Sequence, residues 1–234
     1  MPTPPTKTAS VVLVHGAWAD GSSWRRVIPL LHAQGIAAIA VQNPTTSLAD
    51  DVAATKRAIA RVDGPVVLAG HSWGGMVITE AGNDPRVKGL VYVAAFAPDA
   101  GQSSSDLLAG TEATPGLQAI QQDGPDGLLM SVEGWINAVA QDLPEQDARV
   151  LAAVQPPLGA AAFGEPVTAA AWRSRPTWYV VSENDRSLSA DLQRSMAGRI
   201  GAKTTVVKAS HMSPLSAPDA IAAVLAEAAQ AVAS

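Results

Sequence analysis

Short, mostly continuous apolar runs alternate along the chain with stretches where apolar residues recur every three or four positions. The runs cover residues 10–14, 36–41, 65–70, 89–95, 176–182 and 204–208. Continuous apolarity marks strands buried on both faces. Between the runs, Trp24, Val27, Ile28 and Leu31 fall at helical spacing. Ser47 stands three before Asp50 as a helix start, and Leu48, Val52, Thr55, Ile59 and Val62 then share a face. A third helix follows residue 72 as far as about Ala81. Leu188, Leu192, Met196 and Ile200 line a fourth, and Ile221, Val224, Leu225 and Ala228 a fifth. Strands alternating with helices in this way predict an α/β domain: about six strands, mostly parallel, with helices on both faces.

The rhythm fails between residues 98 and 175, where Gly, Pro, Ser, Asp and Gln cluster around short apolar groups. So long a departure inside a compact domain predicts an inserted, mostly helical cap rather than a loop. The expected organisation is a tail at 1–9, a core at 10–97 and 176–234, and the cap at 98–175.

Composition narrows the class. The 234 residues are 47% hydrophobic and 16% charged, which suits one domain with a sizeable core. A net charge of −5 gives no reason to expect nucleic acid or an anionic membrane as partner. There are no cysteines, hence no disulfides and no thiolate chemistry. No apolar run approaches the roughly 18 residues of a membrane span. The start, MPTPPTKTAS, lacks the pattern of a secretory signal. The expected location is cytoplasmic, and oligomeric state is not readable.

The chemistry begins at Gly70-His71-Ser72-Trp73-Gly74, which fits G-x-S-x-G where a strand ends and a helix begins. Such a turn is too tight for side chains flanking the serine, and it holds the hydroxyl outward at the carboxyl end of the sheet. A serine nucleophile needs a base, and the base an orienting acid. Of four histidines, His211 directly follows the last strand; His71 is locked into the turn, His32 sits on a polar helix side, and His15 belongs to another loop. Asp185 follows the fifth strand and is the preferred acid, with Glu183 and Asp99 as alternatives. The order Ser72, Asp185, His211 is the serine–acid–histidine order of such hydrolases. His15-Gly16-Ala17-Trp18 ends the first strand, so the Ala17 and Trp73 amides are the expected oxyanion donors. The second sits at a helix N-terminus. Gly16, Trp18, His71, Trp135, Phe163 and Met212 are the expected pocket residues, although Trp135 and Phe163 equally suit the cap's own core. An aspartate nucleophile, a nucleotide loop and H-E-x-x-H are all missing, so no cofactor or metal is expected.

Together V-L-V-H-G-A-W, G-H-S-W-G-G-M, G-L-V-Y-V-A-A-F-A-P, S-E-N-D-R and A-S-H-M resemble the small α/β-hydrolases of the bacterial esterase group. These are similar to pyrethroid-hydrolysing esterases and to plant methyl salicylate and methyl jasmonate esterases, and plant hydroxynitrile lyases share the scaffold. The resemblance covers residues 11–97 and 176–230 and implies an α/β-hydrolase fold and carboxylester hydrolysis, with Ser72 as nucleophile, His211 as base and Asp185 as acid. The lyases carry a lysine after the catalytic histidine and a threonine in the first loop; here stand Met212 and Gly16-Ala17-Trp18. Both departures favour an esterase acting on a small-molecule ester. Other expectations from the same triad are lyase, carbon–carbon hydrolase or perhydrolase chemistry, or a slow-turnover ligand receptor.

Overall fold

The computed structural model describes residues 8–233. The first part of the chain runs β1 (Ser10–Val14), a 3₁₀ turn at Gly21–Trp24, α1 (Ile28–Ala33), β2 (Ala38–Ala40), α2 (Leu48–Ala60), β3 (Val66–His71), α3 (Gly74–Ala81) and β4 (Val87–Val93). The inserted segment holds α4 (Ser104–Leu108), α5 (Pro115–Gln118), β5 (Ile120–Asp123) and β6 (Gly127–Met130). It continues with α6 (Val132–Gly134), which runs into a wide π turn at Trp135–Val139, then α7 (Glu145–Val154) and β7 (Leu158–Gly159). The chain closes with β8 (Thr177–Ser182), α8 (Ala190–Arg199), β9 (Lys203–Val207), α9 (Ser213–Ser216) and α10 (Pro218–Ala231).

Six strands form one sheet in the order β2-β1-β3-β4-β8-β9, and every pairing in it is parallel. Period-two alternation divides the core between its faces. Val12 and Val14 of β1 join Leu68, Tyr92 and Tyr179 beneath α2, α3 and α8. Val11 and Leu13 join Val67, Val91 and Val180 beneath α1 and α10. Both faces are therefore covered, which is why these strands read as continuous apolar runs.

Local chemistry sets the helix starts. The Ser47 hydroxyl accepts from the Asp50 amide at 3.1 Å and donates to the Asp50 carboxylate at 2.8 Å, closing the first turn of α2. The inner face of α2 also buries Asp51, which the apolar pattern does not predict. In α8 the buried positions are Gln193, Met196 and Ala197, with Ile200 just beyond, whereas Leu192 lies at the margin.

The insertion contains an unpredicted three-stranded antiparallel sheet, β5-β6-β7. Its strands are two to four residues long and largely half-exposed, too short for periodicity to register. The tail expected over 1–9 lies outside the described residues except for its last two, and Ala9 is fully buried within the core. No helix among the described residues is long and apolar enough to cross a membrane.

Candidate active site

β3 and α3 are joined by a turn so tight that Ser72 adopts φ +53°, a left-handed conformation uncommon for a residue with a side chain. A Cβ on Gly70 would come within 2.4 Å of the Gly74 carbonyl oxygen, and one on Gly74 within 2.6 Å of the Val14 carbonyl oxygen. Gly75 packs closer still, with space for a Cβ only 1.9 Å from the Phe96 carbonyl oxygen. Backbone strain held by packing on three sides is the mark of a functional turn.

The loop after β9 brings His211 over this turn. His211 Nε2 lies 2.8 Å from Ser72 Oγ, and its Nδ1 lies 2.6 Å from Asp185 Oδ2. A carboxylate only accepts, so Nδ1 carries the ring proton and Nε2 is left to accept from the serine hydroxyl. Asp185 is fixed on all sides. Its Oδ1 accepts from the Ser187 and Leu188 amides at 2.7 and 2.9 Å, and its Oδ2 also accepts from Gln193 Nε2 at 2.8 Å. The Gln193 carbonyl in turn accepts from the Ser182 amide at 2.9 Å. Glu183 turns instead to Arg194 at 3.2 Å, and Asp99 to Arg173 at 2.9 Å, so neither alternative acid meets His211. The Arg173 guanidinium beside Asp99 holds that carboxyl below its usual range.

Two further histidines shape the site from behind. His71 Nε2 donates to the His211 carbonyl at 2.8 Å, and the two rings lie 4.9 Å apart. Complete burial, then the neighbouring His211, pushes the His71 pKa down to about 3, so its ring is neutral. It borders the cleft, but its ring N–H is spent on the His211 backbone. His15 Nε2 accepts from the Asn43 amide at 2.9 Å, which leaves Nδ1 to donate to the Gly16 carbonyl at 2.9 Å. Burial lowers the His15 pKa as well.

The two amides expected to face an oxyanion are oriented by the carbonyls that precede them. Gly16 C=O is tied back to His15, and Ser72 C=O accepts from the Gly75 and Phe96 amides at 3.0 and 3.2 Å. In a trans peptide the N–H points opposite to the C=O, so the Ala17 and Trp73 N–H groups are turned away from these ties.

Ala17, Trp18, Trp73, Trp135, Phe163 and Met212 all line a cleft above Ser72. Gly16 does not line it. A Cβ there would sit 2.8 Å from Ser72 Cβ, so this glycine lets the loop seat against the serine rather than against a ligand. Trp135 serves both expected roles, since it borders the cleft and packs in a cap cluster with Met130, Val139 and Met212. Phe163 packs not on the cap cluster but between Trp18 and Trp73, with ring centroids 6.3 and 6.4 Å away. Phe96, Leu117, Ile120 and Leu188 complete walls that carry no Asp, Glu, Lys or Arg side chain. Among the described residues no group of three or more His, Asp or Glu is disposed to hold a metal ion.

The cap is stitched to the loops beneath it. Val139 carbonyl accepts from the Met212 amide at 3.1 Å, and Asp142 from the Ser210 amide at 2.7 Å. Gln141 donates to the Asn184 carbonyl at 2.7 Å, and Arg186 to the Asn137 carbonyl at 3.0 Å. Residues 137–142 thus grip both the loop of Asp185 and the loop of His211. Trp18, at φ +57°, donates its indole N–H to the Leu128 carbonyl at 2.7 Å, which ties the first loop to β6.

Sheet order, nucleophile turn and histidine loop together define an α/β hydrolase. Residues 11–224 match the alpha/beta hydrolase family, and the chain belongs to it. It is 26% identical to a probable hydrolase, R7, of Phoma sp., over 93% of this chain and 96% of that one. It is 27% identical to salicylic acid-binding protein 2 of Nicotiana tabacum, over 92% and 95%. Its fold superimposes on a pyrethroid hydrolase from Sphingobium faniae JZ-2 with a TM-score of 0.81, covering 96% of this chain and 98% of that chain at 23% identity.

Proposed function

We propose that this hydrolase cleaves small-to-medium hydrophobic carboxylic esters through an acyl-enzyme on Ser72. The observation that carries the reading is the continuous relay from Asp185 through His211 to the Ser72 hydroxyl, at 2.6 and 2.8 Å. His211 takes the serine proton as Oγ attacks the ester carbonyl, while Asp185 holds the imidazole and balances its charge. The Ala17 and Trp73 amides receive the oxyanion. His211 then protonates the departing alcohol, and water repeats both steps to free the acid. A cleft walled by Trp18, Trp73, Phe163 and Met212 favours uncharged apolar esters. Met212 directly after His211, where the lyases carry lysine, supports hydrolysis over cyanohydrin cleavage.

The test is hydrolysis of p-nitrophenyl acetate, butyrate and octanoate by wild type and Ser72→Ala. Multiple turnovers that the substitution abolishes are expected, with the chain-length profile sizing the pocket. Equal rates in both proteins, or none in either, would overturn the assignment. Binding of a ligand with turnover far slower than release would instead favour a receptor.

A further inference from the structure

Asp51 lies in the first turn of α2, fully buried, and among the described residues no cation pairs with it. Burying a carboxylate away from water and without a counter-charge is costly, and the relay through Ser72 does not use it. What compensates is a pair of donors. Asp51 Oδ2 accepts the Trp73 indole N–H at 2.8 Å, and Oδ1 accepts the Thr45 amide at 2.8 Å. The charged groups acting on it are Asp50 of the same helix and Glu165 of the segment after β7, and both are acidic. Burial, joined by these two, pushes the Asp51 pKa up to about 6.

Both donors belong to parts of the molecule that need placing. Trp73 directly follows Ser72; its indole walls the cleft, and its backbone N–H is one of the two proposed oxyanion donors. Thr45 sits at φ +57° and is itself fastened to the chain around β7: its hydroxyl donates to the Pro157 carbonyl at 2.7 Å and its carbonyl accepts from the Gly159 amide at 2.8 Å. Asp51 therefore joins α2, the nucleophile turn and the loop between β2 and α2, which is in turn hydrogen-bonded to Pro157 and Gly159. Asp51 holds the indole end of Trp73, while the Gly75 and Phe96 amides hold the Ser72 carbonyl that precedes its N–H, so side chain and backbone are anchored from different elements.

We propose that Asp51 is a positioning residue: held between the Trp73 indole and the Thr45 amide, its carboxylate sets Trp73 and, through it, the amide that receives the oxyanion. This rests on ester hydrolysis at Ser72. Both partners of this carboxylate are N–H donors, so the arrangement favours an ionised Asp51.

The test measures kcat and KM for p-nitrophenyl butyrate, and inhibition by an alkyl trifluoromethyl ketone, in wild type, Asp51→Asn, Trp73→Phe and the double variant, counted per folded enzyme. Asparagine presents an N–H₂ to one of the two donors and breaks that contact; phenylalanine keeps an aromatic ring and removes the indole donor together with the pyrrole ring that carries it. Each single variant should lose about tenfold in kcat or more, short of the full loss of an oxyanion donor. KM should stay within about twofold, ketone affinity should fall in parallel with kcat, and the double variant should be no worse than the poorer single one. The acid side of the wild-type kcat profile should be steeper than one proton, and Asp51→Asn should reduce it to one. Should Asp51→Asn fail to fold, Trp73→Phe alone decides. Wild-type kcat in a folded variant, or additive losses in the pair, would overturn the proposal while leaving Ser72-dependent hydrolysis intact. No Ser72-dependent turnover in the wild type would sink the ester reading, and the proposal with it.

Discussion

Gly16 illustrates how little room the site leaves. With its Cβ position 2.8 Å from that of Ser72, Gly16→Ala should push the first loop off the nucleophile and withdraw the Ala17 amide. A drop in kcat of about 10²-fold is expected, with the thermal midpoint nearly unchanged, as for loss of one oxyanion donor. Retained kcat would mean the loop is not seated as described. Asp185→Asn should cost about 10⁴-fold, because an amide no longer enforces the Nδ1–H tautomer of His211; comparable activity would move the acid role elsewhere. The three residues of the relay are legible in the sequence because each follows the end of a strand, where α/β sheets gather function. Gln193 and Asp51 are not. A polar residue within a helix reads as solvent-facing, and only tertiary contact reveals that Gln193 steadies Asp185 and that Asp51 meets Trp73.

Among the elements, legibility follows length and burial. The four central strands of the large sheet, β1, β3, β4 and β8, announce themselves because both of their faces are covered. The strands β5, β6 and β7 do not, since their pattern lasts at most four residues beside exposed Asp-Gly turns. The join between β3 and α3 is the least tolerant part of the fold. Gly75→Ala would drive a Cβ to 1.9 Å from the Phe96 carbonyl oxygen at the end of β4. A destabilisation of about 3 kcal/mol, at the upper end for overpacking, is expected in urea unfolding. An unchanged midpoint would contradict the close approach. At the other end of the cleft, Trp18→Phe removes the indole bond to Leu128 and should loosen β6 over the pocket. KM for p-nitrophenyl octanoate should rise severalfold, with kcat for acetate little affected; the reverse pattern would place Trp18 in the chemistry instead.

For the whole molecule, the buried histidines set its response to acid. The folded pKa of His71 lies near 3, well below the roughly 6.5 of an unfolded chain, so below neutrality the unfolded state binds the extra proton. Stability is therefore complete above about pH 6.5 and falls as pH drops toward 3, by up to about 1.4 kcal/mol per pH unit for this one group. His15 acts in the same direction. Asp51 acts oppositely: with its folded pKa raised to about 6, the native state takes up its proton first and gains stability between about pH 6 and 4. His71→Gln, which keeps an N–H for the His211 carbonyl, should flatten the slope of stability against pH by about one proton between pH 4 and 6. An identical slope in urea unfolding across that range would refute it. The stitching of residues 137–142 to the loops of Asp185 and His211 bears on how such an enzyme could be remade. A chimera carrying a foreign cap on this core would inherit a new pocket and forfeit the alignment of Asp185 with His211 in one stroke. Selectivity and turnover are thus not separable parts to be exchanged at will, and a successful graft has to carry residues 137–142 together with both loops they hold.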